Sequence, residues 1–219
     1  LKTPALLVST SFSTQVLGLS DGERVWTVRT DAGRDHLASI TRNLESLLVQ
    51  SEIGRDGIVS VLADAGPGSF TGVRIGMSCG RTLSQALSVP IGCLTSVQAL
   101  AAAGRRDGPV YGVKDAGRGR VYVAGWEFQG DAEPKILAGL SDAYPEEFFS
   151  SVPAGCFVCD SPELAERFRA SGRDMRTMDA PEAEDFFRAA RLFRVPFGTW
   201  REALPVYLRK SDAEMKRTP

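Results

Sequence analysis

Few side chains in this sequence of 219 residues are of a type and spacing that could carry covalent or metal chemistry. His36 is the only histidine, and the residue four further on is Ile40. A lone imidazole cannot build a two-histidine metal site, so His36 reads as a helix-start residue that caps or packs. Cys156-Phe-Val-Cys159 has the spacing of half a zinc site, yet no second pair follows, and the apolar residues between the thiols suit a buried strand. Ser69 lies outside any Gly-x-Ser-x-Gly context, and nothing in the sequence brings a base to it. Asp115 ends a strand-like run in a glycine-rich loop, where a hydrogen bond between lobes is at least as good a role as catalysis. No complete metal or nucleophile constellation is present.

The densest local pattern is Gly66-Pro67-Gly68-Ser69-Phe70-Thr71-Gly72-Val73-Arg74-Ile75-Gly76, which continues as a helical run to Ser88. It follows an apolar run at residues 58–63, so the order is strand, tight turn, helix N-terminus. The exposed N–H groups of such a turn attract anions, but the glycine order matches neither a P-loop nor a dinucleotide fingerprint. Ser69 or Thr71 can instead cap the helix, and Gly72, Gly76 and Gly80, followed at the same interval by Ser84, make a ridge without side chains. Each glycine within a helix costs about 1 kcal/mol relative to alanine. Three of them call for the close approach of another backbone. With Val73 and Met77 beside the ridge, and Leu37, Ile40 and Leu44 on the preceding helix, a four-helix interface with a partner is expected. The alternative is that the ridge packs inward on the protein's own sheet.

The elements around this stretch read as α/β. Apolar runs at 5–10 and 16–20, then alternation over 24–30 after Asp21-Gly22, predict a three-stranded antiparallel meander. Leu37, Ile40, Leu44, Leu47 and Leu48 recur at helical spacing over 35–51, and 58–63 suits a buried strand. A brief strand at 90–92 precedes a helix capped by Ser96 and ended by Gly104. Gly104-Arg105-Arg106-Asp107-Gly108 reads as a boundary. Beyond it come strands at 110–114, 121–128 and 135–138, a helix at 144–151, a strand at 156–159, and helices at 162–170 and 181–194, the last with Phe186, Phe187, Ala190 and Phe193 on one face. The expected organisation is a first lobe at 1–107, a smaller second lobe at 108–195 and a tail at 196–219 that packs back on the first lobe, each lobe running β-β-β-α-β-α.

With 43% hydrophobic and 24% charged residues the composition is that of an ordinary globular chain, and a net charge of −1 gives no overall attraction for nucleic acid. No run approaches the ~20 apolar residues of a membrane span. The four cysteines (79, 93, 156 and 159) are too scattered for a disulfide framework, and a cytoplasmic location is expected.

The eleven residues 66–76 resemble the signature of the TsaB (YeaZ) family, the non-catalytic partner of the tRNA threonylcarbamoyladenosine transferase. The likeness extends to residues 6–10, Arg34-Asp35-His36-Leu37, Val113-Lys114-Asp115-Ala116 with Val121-Tyr122, and Pro205-Val206-Tyr207-Leu208-Arg209, and it thins between 130 and 195. It implies the two-lobed actin-like, sugar-kinase and heat-shock-protein-70 ATPase fold, which is RNase H-like. It further implies a scaffold and dimerisation subunit required for N6-threonylcarbamoylation of the adenosine next to the anticodon, with no cofactor and no activity alone. The implied partners are a TsaD-type catalytic subunit, a TsaE-type ATPase, and a second copy when the catalytic partner is absent, with tRNA met only through the complex and no membrane. In the working ATPases of this fold an acidic residue and small polar residues of the first hairpin hold magnesium and phosphate. The matching place reads Ser9-Thr10-Ser11, a vestigial nucleotide loop, with Ser9 where most of the family keeps an aspartate. Two other classes stay open: an independent ATP-dependent small-molecule kinase of the same fold, and a protease acting through Ser69.

Overall fold

A computed structural model describes residues 1–31, 36–170 and 172–209, with the backbone alone for 36–38. The side chains of His36 and Leu37, and Arg34, Asp35 and the tail beyond Arg209, lie outside the described residues. The chain opens with β1 (Ala5–Ser9), β2 (Thr14–Ser20) and β3 (Val25–Asp31), an antiparallel meander as the sequence predicts. Its β2–β3 turn is held by the Asp21 carboxylate, which accepts the N–H groups of Glu23 and Arg24, while Gly22 takes a φ of +107° that disfavours other residues. Then follow α1 (His36–Ser51), a 3-10 turn (Arg55–Gly57), β4 (Ser60–Asp64), α2 (Phe70–Leu87), β5 (Ile91–Leu94) and α3 (Ser96–Ala103). The second half repeats the order: β6 (Gly108–Asp115), β7 (Val121–Phe128), β8 (Lys135–Ala143), α4 (Pro145–Ser151), β9 (Cys156–Cys159), α5 (Pro162–Arg169), β10 (Asp174–Thr177) and α6 (Ala183–Leu192).

The two sheets share one topology, β5-β4-β1-β2-β3 in the first and β10-β9-β6-β7-β8 in the second, and a final strand β11 (Phe197–Gly198) adds antiparallel to β5 as a sixth strand of the first sheet. Side-chain alternation divides each strand between two cores. Leu6 and Val8 pack with Leu47 and the α1 side, whereas Ala5 and Leu7 join Val97 and Leu100 of α3 and Phe186 and Phe187 of α6. That second cluster also takes Val110, Ala124 and Val158 from the other sheet, so α3 and α6 lie between the sheets while α1 and α2 cover the outer face of the first. Phe148, Phe149 and Phe168 of α4 and α5 cover the outer face of the second. The result is five layers, two of them strands.

Several local readings are corrected. The cap of α3 is Thr95, whose hydroxyl and the Gln98 side chain form a reciprocal capping box, and the adjacent Ser96 hydroxyl is used elsewhere. β8 continues to Ala143, and β10 and β11 are strands that the composition hides, one with a single buried residue and the other two residues long. The last helix begins after Glu182, and although it follows the second sheet in sequence it also packs on the inner face of the first.

The glycine ridge faces the chain's own sheet. A Cβ on Gly72 would collide with the Thr10 carbonyl oxygen, one on Gly76 with the Thr10 hydroxyl, and one on Gly80 would stand 3.1 Å from the Cβ of Ala63. Thr10 donates its hydroxyl to the Gly72 carbonyl at 2.6 Å, a contact that needs the two backbones this close. Val73 and Met77 are buried with Val61 and Ala63, and Ile40 is 4% exposed. These five α2 residues and Ile40 therefore do not present their side chains or backbone to a partner, contrary to the expected interface; Leu44 is half-buried against the neighbouring outer cluster of Leu6, Val8 and Leu47. The reason is geometric: a helix that crosses β1 and β4 at this distance has room for hydrogen alone at Gly72 and Gly76 and little more at Gly80.

Gly76→Leu is accordingly expected to destabilise the monomer by roughly 1–3 kcal/mol or more, a drop of about 2–12 °C in melting temperature for a chain of this size. Thr82→Ala, on the exposed face of the same helix, should change stability by less than about 0.5 kcal/mol. Thermal denaturation of both variants is the check, and an unchanged melting point for Gly76→Leu would contradict the packing.

Candidate functional site: the cleft between the lobes

A cleft of about 520 Å³ opens between the two halves, lined by Ser11, Phe12, Ser13, Gly68 and Ser69 from the first and Lys114, Asp115, Ala116 and Tyr122 from the second. Its first wall is built on Asp64, the last residue of β4, which is 1% exposed. One carboxylate oxygen accepts the hydroxyls of Ser9, at 2.8 Å, and Ser11; the other accepts the Ser96 hydroxyl at 2.8 Å and the Gly66 N–H at 2.9 Å. The Ser11 and Ser96 hydroxyls are themselves 2.8 Å apart. Four donors occupy the four lone-pair positions of the carboxylate. The parallel register of β1 on β4, with Val8 opposite Ala63, brings Ser9 alongside Asp64, and the turn at Gly66, with a φ of +87°, brings the backbone back to it. Ser96 N–H donates to the Gly66 carbonyl at 2.9 Å, so the turn is tied to α3 through its carbonyl and to Asp64 through its N–H.

The second wall repeats this construction with different chemistry. β6 pairs with β9 in parallel, with Val113 opposite Cys159, and one step further Lys114 meets Asp160. The Lys114 ammonium, 2% exposed, donates to Asp160 at 2.6 Å and sits 3.7 Å from the centroid of the Phe12 ring, which belongs to the first half. Asp160 also accepts the N–H of Asp115 at 2.8 Å. Thus each half ends its central parallel strand pair in an acid satisfied by the residue beside it, a hydroxyl cluster in one case and a buried ion pair in the other. The ion pair and the cation over the aromatic face compensate the desolvation that a lone buried ammonium would suffer.

The residues singled out by sequence fall into place around these walls. Ser9 and Ser11 serve Asp64, and Thr10 serves the Gly72 carbonyl, so the three hydroxyls of the Ser9-Thr10-Ser11 stretch are engaged internally. Gly66, Pro67 and Gly68 form the turn; Ser69, not Thr71, caps α2 by accepting the Gly72 N–H at 3.0 Å; Phe70 is 39% exposed and packs on Tyr207 with centroids 5.0 Å apart. Asp115 accepts the Gly117 N–H within its own loop, and among the described residues no donor from the other lobe is bonded to it. Cys156 and Cys159 lie on opposite faces of β9, in different cores, and burial pushes both thiols up, Cys159 to about 12. Among the described residues no cluster of three histidine, cysteine or acidic side chains could hold a metal ion. The nucleotide loop of the working ATPases does not fit at Ser9-Thr10-Ser11: the acid at the end of β4 has its oxygens filled by the chain's own donors, and these three hydroxyls are already spent. Lys114 lies in the quoted Val113-Lys114-Asp115-Ala116 stretch, but Asp64 and Asp160, the acids on which the cleft rests, escape a motif search, because an acid after an apolar strand reads as the start of a turn.

Comparison with known proteins places the chain. A family model described as TsaD, tRNA N6-adenosine threonylcarbamoyltransferase, matches residues 28–148. A Bacillus subtilis protein named tRNA threonylcarbamoyladenosine biosynthesis protein TsaB is 34% identical over 97 residues, which are 44% of this chain and 42% of that protein. The uncharacterized protein Rv3421c of Mycobacterium tuberculosis is 33% identical over 103 residues, 47% of this chain and 46% of its own length. The matches thus span under half of these curated relatives. The solved structure of YeaZ from Pseudomonas aeruginosa superposes with a TM-score of 0.78 at 22% identity, covering 93% of this chain and 99% of that one. A second, described as an uncharacterized protein with similarity to peptidase YEAZ from Pseudomonas aeruginosa, gives a TM-score of 0.79 at 24% identity over 94% of this chain. These two likenesses establish the actin-like, two-lobed α/β fold. Among the described residues no helix is long and apolar enough to cross a membrane. With more than half of its length matched by the family model, the chain belongs to the TsaD family of tRNA N6-adenosine threonylcarbamoyltransferases, and the Bacillus subtilis protein it is similar to is named TsaB.

Proposed function

We propose that this chain is an accessory, non-catalytic subunit in the N6-threonylcarbamoylation of the adenosine next to the anticodon, and that it acts by binding a TsaD-type catalytic subunit. The observation that carries the non-catalytic part is the internal commitment of the first hairpin: Ser9 and Ser11 donate to the buried Asp64 carboxylate and Thr10 donates to the Gly72 carbonyl, so the loop that would meet magnesium and phosphate in a working enzyme of this fold is spent on the chain's own acceptors. The function named for the Bacillus subtilis relative supplies the pathway. A TsaE-type ATPase would engage the assembled pair, and a second copy would occupy the same surface when the catalytic subunit is absent. tRNA would be met through the complex, in keeping with a net charge of −1.

The docking surface in this reading is the outer face of α1 and α2. The inward ridge leaves Arg74, Ser78 and Thr82 exposed along α2, and Arg42, Glu45 and Val49 along α1, Val49 at 78% exposure. A mixed polar face with isolated apolar residues is the ordinary composition of a separable interface.

Four outcomes are expected. In a reconstituted modification assay the catalytic subunit should depend on this chain, and the chain alone should produce no modified tRNA; full activity without it would reject the proposal. Calorimetry of the isolated chain with magnesium and ATP should give no binding heat, whereas a saturable isotherm would favour the kinase reading. The double substitution Val49→Glu and Arg74→Glu should abolish pull-down of the catalytic subunit while leaving the melting temperature within a few degrees; retained binding would move the interface elsewhere. Asp64→Asn should lower stability by about 1–3 kcal/mol, since an amide cannot accept all four donors. Below its melting temperature it should still support the reconstituted reaction, and loss of activity in a folded Asp64→Asn protein would show that Asp64 does more than hold the wall.

A further inference from the structure

We propose that residues 199–209 form a strap across the rim of the cleft, latched to the second lobe, among the described residues, by the Arg209 side chain on Asp142. The strap starts on the first lobe, directly after β11, and its attachments there are backbone and apolar: Arg81 donates to the Trp200 carbonyl at 3.0 Å, Ala203 is 5% exposed in the outer core, and the Val206 N–H donates to the Ala65 carbonyl at 2.8 Å. The Ala65 contact places the strap one residue from the Gly66 turn of the first wall. Three residues later it has reached the other lobe. Arg209 makes a two-pronged contact with Asp142 of β8, Nη2 to Oδ1 at 2.7 Å and Nε to Oδ2, while its Nη1 donates to the Ala116 carbonyl at 3.2 Å and its guanidinium lies 5.6 Å from the Tyr122 ring centroid. Ala116 and Tyr122 both line the cleft.

The two ends are unequal. The first-lobe end is held by burial, by backbone hydrogen bonds and by an aromatic contact between Tyr207 and Phe70. The second-lobe end is one side chain, whose planar fork on the Asp142 carboxylate is its strongest contact, with the two side chains 21% and 16% exposed, and is lost as a unit when either partner is replaced, while the bond to the Ala116 carbonyl is lost only with Arg209 itself. Asp142 has a second cation, Arg120 of the β6–β7 turn, whose Nε donates to Oδ1 at 2.9 Å and whose Nη2 donates to the Asp142 carbonyl at 2.9 Å. Removal of Arg209 therefore leaves the carboxylate paired and the second sheet intact, while the strap loses its hold on the rim. Opening is confined to the rim, because behind it the two sheets share the core built on α3 and α6.

Amide hydrogen exchange on the whole chain tests the latch. Arg209→Gln should speed exchange at Val206, whose N–H is bonded to Ala65, and at Ala116 and Arg120, bonded within the turn, by about tenfold, the loss of a charge-assisted hydrogen bond, with β1, β4 and β6 unchanged. Asp142→Asn should also speed Val206, and the double variant should speed it no further than Arg209→Gln alone. Unchanged exchange at Val206, Ala116 and Arg120 in Arg209→Gln, additive effects in the double variant, or acceleration spread evenly through the core strands would each overturn the proposal.

Discussion

The carboxylate of Asp64 is the constraint on which the first half of the molecule depends. A buried acid must have its oxygens filled, and an unfilled one costs more than any single contact it makes returns. Here the donors come from three separate places in the chain: the end of β1 and its hairpin through Ser9 and Ser11, the turn through Gly66, and the start of α3 through Ser96. None of these segments can shift without stranding a polar atom. The turn position in turn sets where α2 begins, and α2 must begin where its glycines fall over Thr10 and Ala63. The second half meets the same need with a salt bridge between Lys114 and Asp160, capped by the Phe12 ring of the first half. One acid is held by the hydroxyls of its own lobe, and the other brings its cation under an aromatic ring of its neighbour.

Layering explains why the two halves behave as one body around the cleft. Two helices with apolar faces, α3 and α6, fill the space between the sheets, and the resulting cluster draws residues from both. Phe193, just beyond α6, sets its ring against Trp126 and Phe128 of β7 with centroids 4.9 and 6.0 Å apart, while Phe187 and Ala183 press on Gly18 of β2. A separation of the lobes would expose this whole inner layer to water, a cost proportional to its apolar area. Only the polar rim, where Ser13, Asp115 and the β6–β7 turn meet, lacks such a layer behind it.

Periodicity made much of this fold legible. The helical spacing of Leu44, Leu47 and Leu48, the alternation after Asp21-Gly22 and the apolar run before the glycine turn each correspond to an observed element, because each pattern has a single geometric solution. The direction of the glycine ridge did not follow in the same way. Small residues at every fourth position report that something comes close, and a strand of the same chain satisfies them as well as a helix of another. The apolar face of α6 likewise declares that it is buried without naming the sheet that buries it. β10 and β11 carry almost no apolar signal, since both sit at sheet edges where one or two residues touch the core. In the cleft, the hydroxyls of Ser9, Thr10 and Ser11 were visible as polar residues at a strand end, but their acceptors, Asp64 and the Gly72 carbonyl, stand more than fifty residues away along the chain. Only the parallel register of β1 and β4 brings the first pair together.

The two sides of α2 answer to different demands. Its inner side is fitted to β1 and β4 so closely that a single methyl group at Gly72 would strike a backbone oxygen, and moving the helix by one residue would drive Val73 into the same place. Its outer side, with Arg74, Ser78 and Thr82 in solvent, carries no such fit. Sequence change is therefore held back along one edge of the helix by the protein's own sheet and left open along the other. A lineage could alter what this helix meets outside the molecule, residue by residue, without disturbing the fold that presents it.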